Sequence, residues 1–95
     1  MLLKPVSDGP RTAAQDPTGT LTFESGILGG IAITTNGTNA AVVTLQQNNS
    51  SGKKVFGIST KQPMWITGPI QLGVQAGYYS VTGTGAEAHF FEWIE

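Results

Sequence analysis

The segment that decides the fold reads Asn36-Gly37-Thr38-Asn39-Ala40-Ala41-Val42-Val43-Thr44-Leu45-Gln46. Its first two residues favour a tight hairpin turn, because a type I′ turn needs positive φ at both central positions and Asn-Gly meets that need. Apolar and polar side chains alternate in the rest of the segment, which places Ala41, Val43 and Leu45 on one face of a strand. We therefore predict a hairpin at Asn36-Gly37 that leads into a half-buried strand.

The same alternation extends in both directions from this segment. Before it, Leu21 and Phe23 mark one strand, and a second runs from Ile27 to Thr34 with a bulge or a close backbone approach at Gly29-Gly30. Pro63-Met64-Trp65-Ile66 lies before a Gly-Pro break and is at best a short edge strand or a bend. Further short strands are predicted at residues 54–58, 70–75, 78–82 and 87–94.

Taken together, these strands predict an all-β fold. No window of the sequence has helical periodicity, and turn residues separate the strands throughout. We expect a β-sandwich or jelly roll of seven to eight short antiparallel strands. The side chains predicted to point inward are Leu21, Phe23, Ile31, Ile33, Val43, Leu45, Ile70, Leu72, Val74, Tyr79 and Val81.

The N-terminal segment has a different composition. Residues 1–19 carry three of the five prolines, Pro5, Pro10 and Pro17. Proline fixes φ and removes a backbone donor, so we expect neither a helix nor a strand ladder there. The predicted organisation is an extended Pro-rich N-terminal arm over residues 1–19 and a β-sandwich domain over residues 20–95. The arm is either a disordered tail or a segment that becomes ordered on a neighbouring subunit.

The predicted last strand is apolar on both faces. Ala88, Phe90 and Ile94 share one face, whereas His89, Phe91 and Trp93 share the other. Since a sandwich strand has one core face, the second aromatic face should be covered by a loop, by the N-terminal arm or by another subunit. A bulge at Phe90-Phe91 is the alternative, because it would return the aromatic residues to one face.

The composition is unusually neutral. Charged residues make up 12% of the chain, the formal net charge is -1, and there are no cysteines. The five basic residues are dispersed along the chain, which argues against nucleic-acid binding. A free monomer normally relies on charge for solubility, so this composition favours a protein whose surface is covered by neighbours.

The first residues do not have the pattern of a targeting segment. The apolar start Met1-Leu2-Leu3 is interrupted by Pro5 and Asp8, so we expect no signal peptide. No apolar run approaches the length that a transmembrane helix needs. These features predict a soluble protein made in a cytoplasm.

Groups that could carry out chemistry are few. Glu87 and His89, the single histidine, share a strand face and could contribute to a metal site, but a structural histidine is the simpler interpretation. The carboxylates fall in the arm, at strand ends or at outward positions, so no acid-base pair is predicted. We expect no enzyme activity, no catalytic residues, no metal and no cofactor. A second interpretation is a sugar-stacking platform, although aromatic residues in a small sandwich more often form the core; its members would be Trp65, Tyr78, Tyr79 and Trp93.

A resemblance adds to this interpretation. A strand containing Val42-Val43-Thr44-Leu45 leads through Asn48-Asn49-Ser50-Ser51-Gly52 into a second short strand. Gly77-Tyr78-Tyr79-Ser80-Val81, Thr82-Gly83-Thr84-Gly85-Ala86 and a final aromatic strand at His89-Phe90-Phe91 follow further on. Over roughly residues 20–94 this pattern resembles small β-sandwich virion structural proteins of tailed bacteriophages. The resemblance implies a capsid decoration or cement protein, often trimeric, or a related neck or tail component.

The leading hypothesis is therefore a decoration protein made in the bacterial host cytoplasm and located in the virion. It would bind the major capsid protein or other virion subunits, stabilise the assembled head and self-associate as a homotrimer, without binding nucleic acid or a membrane. The predicted assembly contacts are Met1, Leu2, Leu3, Val6, Phe91 and Trp93. The alternative is a receptor- or carbohydrate-binding module of a phage fibre, or of another tail or neck component. A small hydrolase or metal enzyme is a third hypothesis, which would need a further ligand beside Glu87 and His89.

Overall fold

A computed structural model describes residues 2–6 and 9–94 of the chain. Within these residues the chain forms nine β-strands and no helix, arranged as two antiparallel sheets that pack into a sandwich. The all-β prediction is confirmed. The strands are β1 (Leu2–Pro5), β2 (Arg11–Thr12), β3 (Thr18–Thr22), β4 (Ile27–Thr34), β5 (Ala41–Gln47), β6 (Lys54–Thr60), β7 (Met64–Gln71), β8 (Ala76–Thr82) and β9 (Glu87–Ile94).

The two sheets are built by a nested pairing of strands. Sheet A has the order β1-β9-β4-β7, with β2 pairing the same edge of β9 as β1, and sheet B has the order β3-β8-β5-β6. Successive pairs lie outside one another: β5 pairs β6, β4 pairs β7, β3 pairs β8, and β9 pairs β1 and β2. As a result, most connections cross from one sheet to the other and close both ends of the sandwich.

The core lies between the two sheets. Its buried apolar side chains come from both, and the residues predicted to point inward are buried at nearly every position. Val74 is the exception, because it is 43% exposed in the connection after β7, and Ile70 is only partly buried against the core. The buried members are Leu21, Phe23, Leu28, Ile31, Ile33, Ala41, Val43, Leu45, Leu72, Tyr79, Val81, Ala86, Ala88 and Phe90.

The hairpin predicted at Asn36-Gly37 is wrong. The strand before this turn belongs to sheet A and the strand after it to sheet B, so the segment crosses between sheets. Gly37 has positive φ (83°), but Asn36 does not adopt the positive φ that a type I′ turn requires. Instead, the Asn36 Oδ1 atom accepts hydrogen bonds from the backbone N–H groups of Thr38 and Asn39, each 2.9 Å long. The side chain thereby stabilises a wider loop.

The prediction for residues 63–75 is also wrong. A strand was expected at 70–75 after a short element at 63–66, but one strand, β7, runs from Met64 to Gln71. The strand tolerates Pro69 because it is the edge of sheet A, where a missing N–H leaves no partner unpaired. Leu72 then turns inward and is fully buried, and its N–H donates to the Gly26 carbonyl.

Residues of the predicted arm take part in the sandwich. β1 pairs with Phe91–Ile94 and β2 pairs with Glu87–Ala88, so the expectation of no ladder in this segment is wrong. The Val6 N–H also donates to the Phe90 carbonyl, and β3 begins at Thr18. The pairing is possible because the open edge of β9 supplies backbone partners that the segment cannot supply for itself. The division between an arm at 1–19 and a domain at 20–95 stays a prediction.

The bulge expected near Gly29-Gly30 is present. The register of β4 shifts between Leu28 and Gly30 against both β7 and β9, which identifies Gly29 as the extra residue. β9 itself keeps strict alternation, with Ala88, Phe90 and Glu92 buried. The alternative of a bulge at Phe90-Phe91 is therefore wrong, and β9 has an aromatic outer face.

Glu92 is a buried carboxylate that the sequence did not predict. It was expected at an outward position or a strand end, yet it is only 2% exposed. Its Oε1 atom accepts hydrogen bonds from the backbone N–H groups of Glu24 (2.8 Å) and Ser25 (3.0 Å) and from the Ser25 hydroxyl (3.3 Å). These bonds attach the end of β9 to the connection between β3 and β4. A buried carboxylate needs such partners, because a buried charge without them costs on the order of several kcal/mol of desolvation free energy.

Candidate functional site

The outer face of sheet A carries a continuous apolar surface, which we call the aromatic face. It includes side chains from β1, β9, β4 and β7, because odd-numbered residues of β9 point away from the core and their cross-strand neighbours do the same. Aromatic rings occupy β9 and β7, while small residues occupy the middle of β4. The members are Leu3, Pro5, Ile27, Gly29, Gly30, Ala32, Trp65, Thr67, Pro69, Gln71, His89, Phe91 and Trp93.

Two glycines form the floor of this face. A Cβ atom at residue 29 would lie 3.0 Å from Cδ1 of Trp93 and 2.5 Å from Cδ2 of Leu3. A Cβ atom at residue 30 would overlap the six-membered ring of Trp65. Because both glycines lack that atom, two indole rings on the outer face approach the backbone of β4: Trp93 from β9 on one side and Trp65 from β7 on the other. The bulge at Gly29 turns both glycines to the outer face.

The aromatic side chains contact one another both across the strands and along β9. Trp65 meets Phe91 edge to face, with ring centroids 5.7 Å apart and an interplanar angle of 61°. Phe91 in turn meets His89, with centroids 4.6 Å apart. Contacts of this kind stabilise by about 0.5–1.5 kcal/mol each beyond the area they bury. They hold Trp65 against the sheet although 46% of its surface is exposed.

A shallow cavity opens at one end of the face. It has a volume of about 340 Å³ and is lined by Ile27, Pro69, Gln71 and Trp93. Gln71 and the indole N–H of Trp93 are the two side-chain polar groups of this lining. The cavity is therefore suited to an apolar group and offers few partners to a hydroxyl-rich one.

Charge is nearly absent from the aromatic face. Glu87, at the end of β9, shares the outward parity of the aromatic residues and lies at the rim. Lys4 has the opposite parity, pairs with Glu92 in the register and forms an ion pair with Glu24. The hydrogen bond to Glu24 raises the pKa of Lys4, so its ammonium stays charged away from this face. A partner that binds here would meet no strong electrostatic field.

Comparisons with protein-family models, with curated proteins and with solved structures give no match to this chain. In the described residues, no helix is long and apolar enough to cross a membrane.

The predicted assembly contacts do not all lie together. Leu3, Phe91 and Trp93 share the aromatic face, while Leu2 has the opposite parity and is 63% exposed. Val6 packs against the core instead. Met1 lies outside the described residues. As a set of contacts with a partner, these residues stay a prediction.

Trp65, Ile27 and Pro69 were not predicted as members of this surface. Trp65 had been assigned to a separate short element, and the pairing of β7 with β4 that places it beside Phe91 depends on residues far apart in the chain. The Gly29-Gly30 pair was the available signal, because two adjacent glycines in an apolar strand indicate that something packs on the backbone.

The four residues of the proposed sugar platform are separated by the fold. Trp65 and Trp93 are on the outer face of sheet A, while Tyr78 is half-buried on the outer face of sheet B. Tyr79 is a core residue, and its hydroxyl donates to the Asp16 carbonyl at 2.9 Å. Burial raises the pKa of Tyr79, with a smaller contribution from the charge of Asp16. A single platform made of all four is therefore wrong.

Glu87 and His89, the two residues considered as metal ligands, lie close together in the structure. Glu87 and His89 share the outer face of β9, as their spacing predicted. Among the described residues, no three His, Cys, Asp or Glu side chains are grouped so that they could hold a metal ion. The Nε2 atom of His89 is buried and makes no hydrogen bond, and its ring packs at a tilt against Phe91. The arrangement is that of an aromatic packing residue.

Proposed function

We propose that this chain is a virion structural protein of a tailed bacteriophage, a capsid decoration protein that binds the assembled head through the aromatic face. One observation carries the proposal: sheet A exposes an uncharged apolar surface in which Trp65 remains 46% exposed. Large apolar patches on small proteins mark interaction sites, and tryptophan is enriched among the residues that dominate binding energy.

The strand order supports the same class of protein. The nested pairing of β5 with β6, β4 with β7, β3 with β8, and β1 and β2 with β9 supports our proposal that the sandwich is a jelly roll. Jelly rolls are common in viral capsid domains and in lectins.

The neutral composition supports binding through apolar contacts and not through charge. With 12% charged residues, the protein has little long-range attraction or repulsion toward a shell of either sign. Apolar and backbone contacts then supply the affinity.

The test is binding to assembled heads of the phage that carries the gene. Trp65→Lys places a charge in the aromatic face, whereas Val42→Lys places one at a similarly exposed apolar position on the outer face of sheet B. We expect parent and Val42→Lys to sediment with the heads and to raise the temperature at which heads rupture, and Trp65→Lys to do neither. Equal binding by all three proteins would exclude the aromatic face as the docking surface.

A carbohydrate-binding module is the second candidate, favoured by one observation on sheet B. Tyr78 lies between its cross-strand neighbours Thr20 and Gln46, on a face rich in hydroxyl groups. A ring flanked by uncharged polar groups can stack on a sugar and bind its hydroxyls. A glycan-array signal that is lost in Tyr78→Ala and kept in Trp65→Lys would favour this function over the first.

A further inference from the structure

The two lateral sides of the sandwich differ in how they are closed. On one side, residues 13–17 cross between the sheets: the Ala13 N–H donates to the carbonyl of Ala86, just before β9, and the Pro17 carbonyl accepts from the Val81 N–H of β8. On the other side, β6 is the edge of sheet B and β7 is the edge of sheet A. Among the residues that the structure describes, no further strand pairs with either edge, so this side is open.

Apolar side chains that point inward from β6 and β7 are incompletely covered on the open side. Phe56 and Ile58 of β6 pair with fully buried residues of β5, yet they are themselves only partly buried. Ile66 and Ile70 of β7 are partly buried in the same way. A further apolar layer over these side chains would remove their remaining surface from water and stabilise the contact.

The backbone of β6 has open hydrogen-bonding groups. The Gln47 N–H donates to the Lys53 carbonyl, whereas the Asn48 N–H donates to the Ala76 carbonyl on the opposite side. The central strand β5 therefore bonds to β6 through its odd-numbered residues and to β8 through its even-numbered ones. The β6 residues opposite even-numbered positions of β5 direct their N–H and C=O groups away from it, to the open edge. These residues are Gly57 and Ser59, and both are exposed.

Of the two open edges, β6 is better suited to accept another strand. β7 contains Pro69, which has no N–H to donate. β6 is a seven-residue strand without proline, and its residues 55–60 carry no charge. A long, uncharged edge of this kind is a template for pairing with an extended chain.

Three of the five basic residues flank β6. Lys53 and Lys54 lie at its start, and Lys61 follows its end, roughly 20 Å away at the spacing of a β-strand. All three are exposed and, in the part of the chain that the structure describes, form no ion pair. The other two basic residues, Lys4 and Arg11, are paired with carboxylates of the same chain. Both ends of the open edge are therefore positively charged.

This charge pattern indicates which kind of strand fits. If β6 of a second copy paired here, in either direction, lysines of one copy would lie opposite lysines of the other. Like charges opposite each other destabilise a strand pair, and lysine at strand edges is a known safeguard against such pairing. A strand with carboxylates at both ends would instead place an opposite charge beside each group of lysines.

We propose that β6 is a docking edge for an extended segment of another protein, which adds to sheet B as a fifth strand. The segment carries acidic residues at both ends and apolar side chains at alternate positions between them. Its backbone bonds to Gly57 and Ser59, and its apolar side chains cover Phe56 and Ile58. The inference goes beyond the proposed function, because this edge belongs to sheet B and the aromatic face to sheet A.

A synthetic peptide tests the docking edge. The probe is acetyl-Glu-Glu-Val-Thr-Val-Thr-Val-Glu-Glu-amide, which has acidic ends and apolar side chains at alternate positions. We expect saturable binding by NMR spectroscopy, slower hydrogen exchange at the amides of Gly57 and Ser59, and weaker binding as the salt concentration rises. One control peptide has lysine in place of each glutamate. A second keeps the glutamates but is N-methylated at its five central residues, so it cannot donate backbone hydrogen bonds. Neither control should bind.

Variants of the protein separate backbone pairing from charge. Ser59→Pro removes an N–H at the open edge and keeps the bonds to β5, whereas Ser59→Ala keeps that N–H. We expect the first to bind the acidic peptide about 10-fold more weakly than the parent and the second to bind as the parent does. Lys54→Gln combined with Lys61→Gln should also weaken binding and reduce its salt dependence. Gln15→Glu, which lowers the net charge on the closed side, is the control and should bind as the parent does.

Three results would overturn the inference. No binding of the acidic peptide at millimolar concentration would show that β6 is not a docking edge. Equal binding of the N-methylated peptide would show that charge alone attracts the probe, and equal binding of the lysine peptide would exclude charge complementarity. The N-methylated peptide is tested on the parent protein, so it decides the question even if Ser59→Pro does not fold. Binding to heads plays no part in this test, so its failure would leave the docking edge standing.

Discussion

The indole ring of Trp65 lies directly over the backbone of Gly30, on the neighbouring strand of sheet A. The ring is on the face that points away from the core, so it makes no contribution to the packing between the two sheets. Its position is instead fixed by the missing side chain beneath it and by the edge contact with Phe91. The backbone of β4 thus leaves space for the aromatic rings of this face, because the bulge at Gly29 turns both glycines outward.

Gly30→Ala should displace this ring. The new Cβ atom would overlap Trp65 and lie 2.9 Å from the Ile66 carbonyl oxygen. We expect a loss of about 1–3 kcal/mol in the free energy of unfolding, as overpacking costs elsewhere, together with a shift in tryptophan fluorescence. Gly57→Ala is the matched control, because its Cβ would meet no atom closer than 3.5 Å. Equal effects in urea unfolding of both variants would contradict the proposed role of Gly30.

Among the carboxylates of the described residues, Glu92 is the one whose substitution we expect to lower the free energy of unfolding most. In Glu92→Gln, bonds to a charged acceptor become weaker neutral ones, so we expect a cost of about 1–3 kcal/mol at pH 7. Glu92→Ala should cost more, since the N–H groups of Glu24 and Ser25 lose their acceptor. The rim variant Glu87→Gln should stay within about 0.5 kcal/mol of the parent. Chemical unfolding of the three variants measures the difference, and a neutral Glu92→Ala would show that the bonds contribute little.

Leu72 and Val74 distinguish the observed structure, in which β7 ends at Gln71, from the strand predicted at residues 70–75. Alternation predicted that both point inward, but Leu72 is fully buried and Val74 is 43% exposed. We expect Leu72→Ala to cost about 2–5 kcal/mol through lost burial and a cavity. Val74→Ala should change the free energy of unfolding by no more than about 0.5 kcal/mol. Similar melting temperatures for the two variants would restore a strand through residue 74.

Asp16 should make stability depend on pH in the acid range. Its Oδ1 atom accepts a 2.7 Å hydrogen bond from the Thr12 N–H, and this bond, with help from Arg11, lowers the pKa of Asp16 below its ordinary 3.8. A lowered pKa contributes stability that is fully present above the unfolded value and lost as pH falls through the folded one. Asp16→Asn should therefore be less stable than the parent at pH 7, with a difference that shrinks below about pH 4. Urea unfolding across pH 2–7 measures it, and a constant difference would exclude this mechanism.

Local alternation predicted most of the core. Leu21 with Phe23, and Val43 with Leu45, are buried as their period of two indicated. This succeeds because a strand with one buried face must repeat its apolar side chains every second residue. The pattern does not specify which sheet a strand joins. Asn36-Gly37 has the local chemistry of a hairpin, yet it connects two sheets, since strand pairing is decided by distant segments.

The candidate site was only partly predictable for the same reason. Phe91 and Trp93 were assigned to an outward face from the sequence of β9 alone. Trp65 joins them only through the pairing of β7 with β4 and of β4 with β9. Glu92 was missed because its hydrogen-bond donors at Glu24 and Ser25 are 68 and 67 residues away in sequence. Contacts of that range leave no periodic signal.

The N-terminal strand protects the edge of β9. β1 covers Phe91–Ile94, and its Leu3 side chain packs over Gly29 on the aromatic face. Its side chains are otherwise mostly exposed, so its main contribution is to satisfy backbone groups that would remain open on β9. An uncovered strand edge is a template for pairing with another chain.

Deleting residues 1–5 should therefore leave a folded sandwich with a new tendency to aggregate. We expect unchanged β-sheet circular dichroism and a lower melting temperature, with light scattering that rises with protein concentration. Deleting residues 1–18 should be more severe, because it also removes β2, the Asp16 carbonyl that accepts from Tyr79 and the Pro17 carbonyl that accepts from the Val81 N–H. As a control, Lys4→Ala removes the ion pair with Glu24 but keeps the backbone ladder, so it should not aggregate. If the shorter deletion stayed monomeric and as stable as the parent, β1 would be a dispensable tail, and the edge of β9 would need no cover.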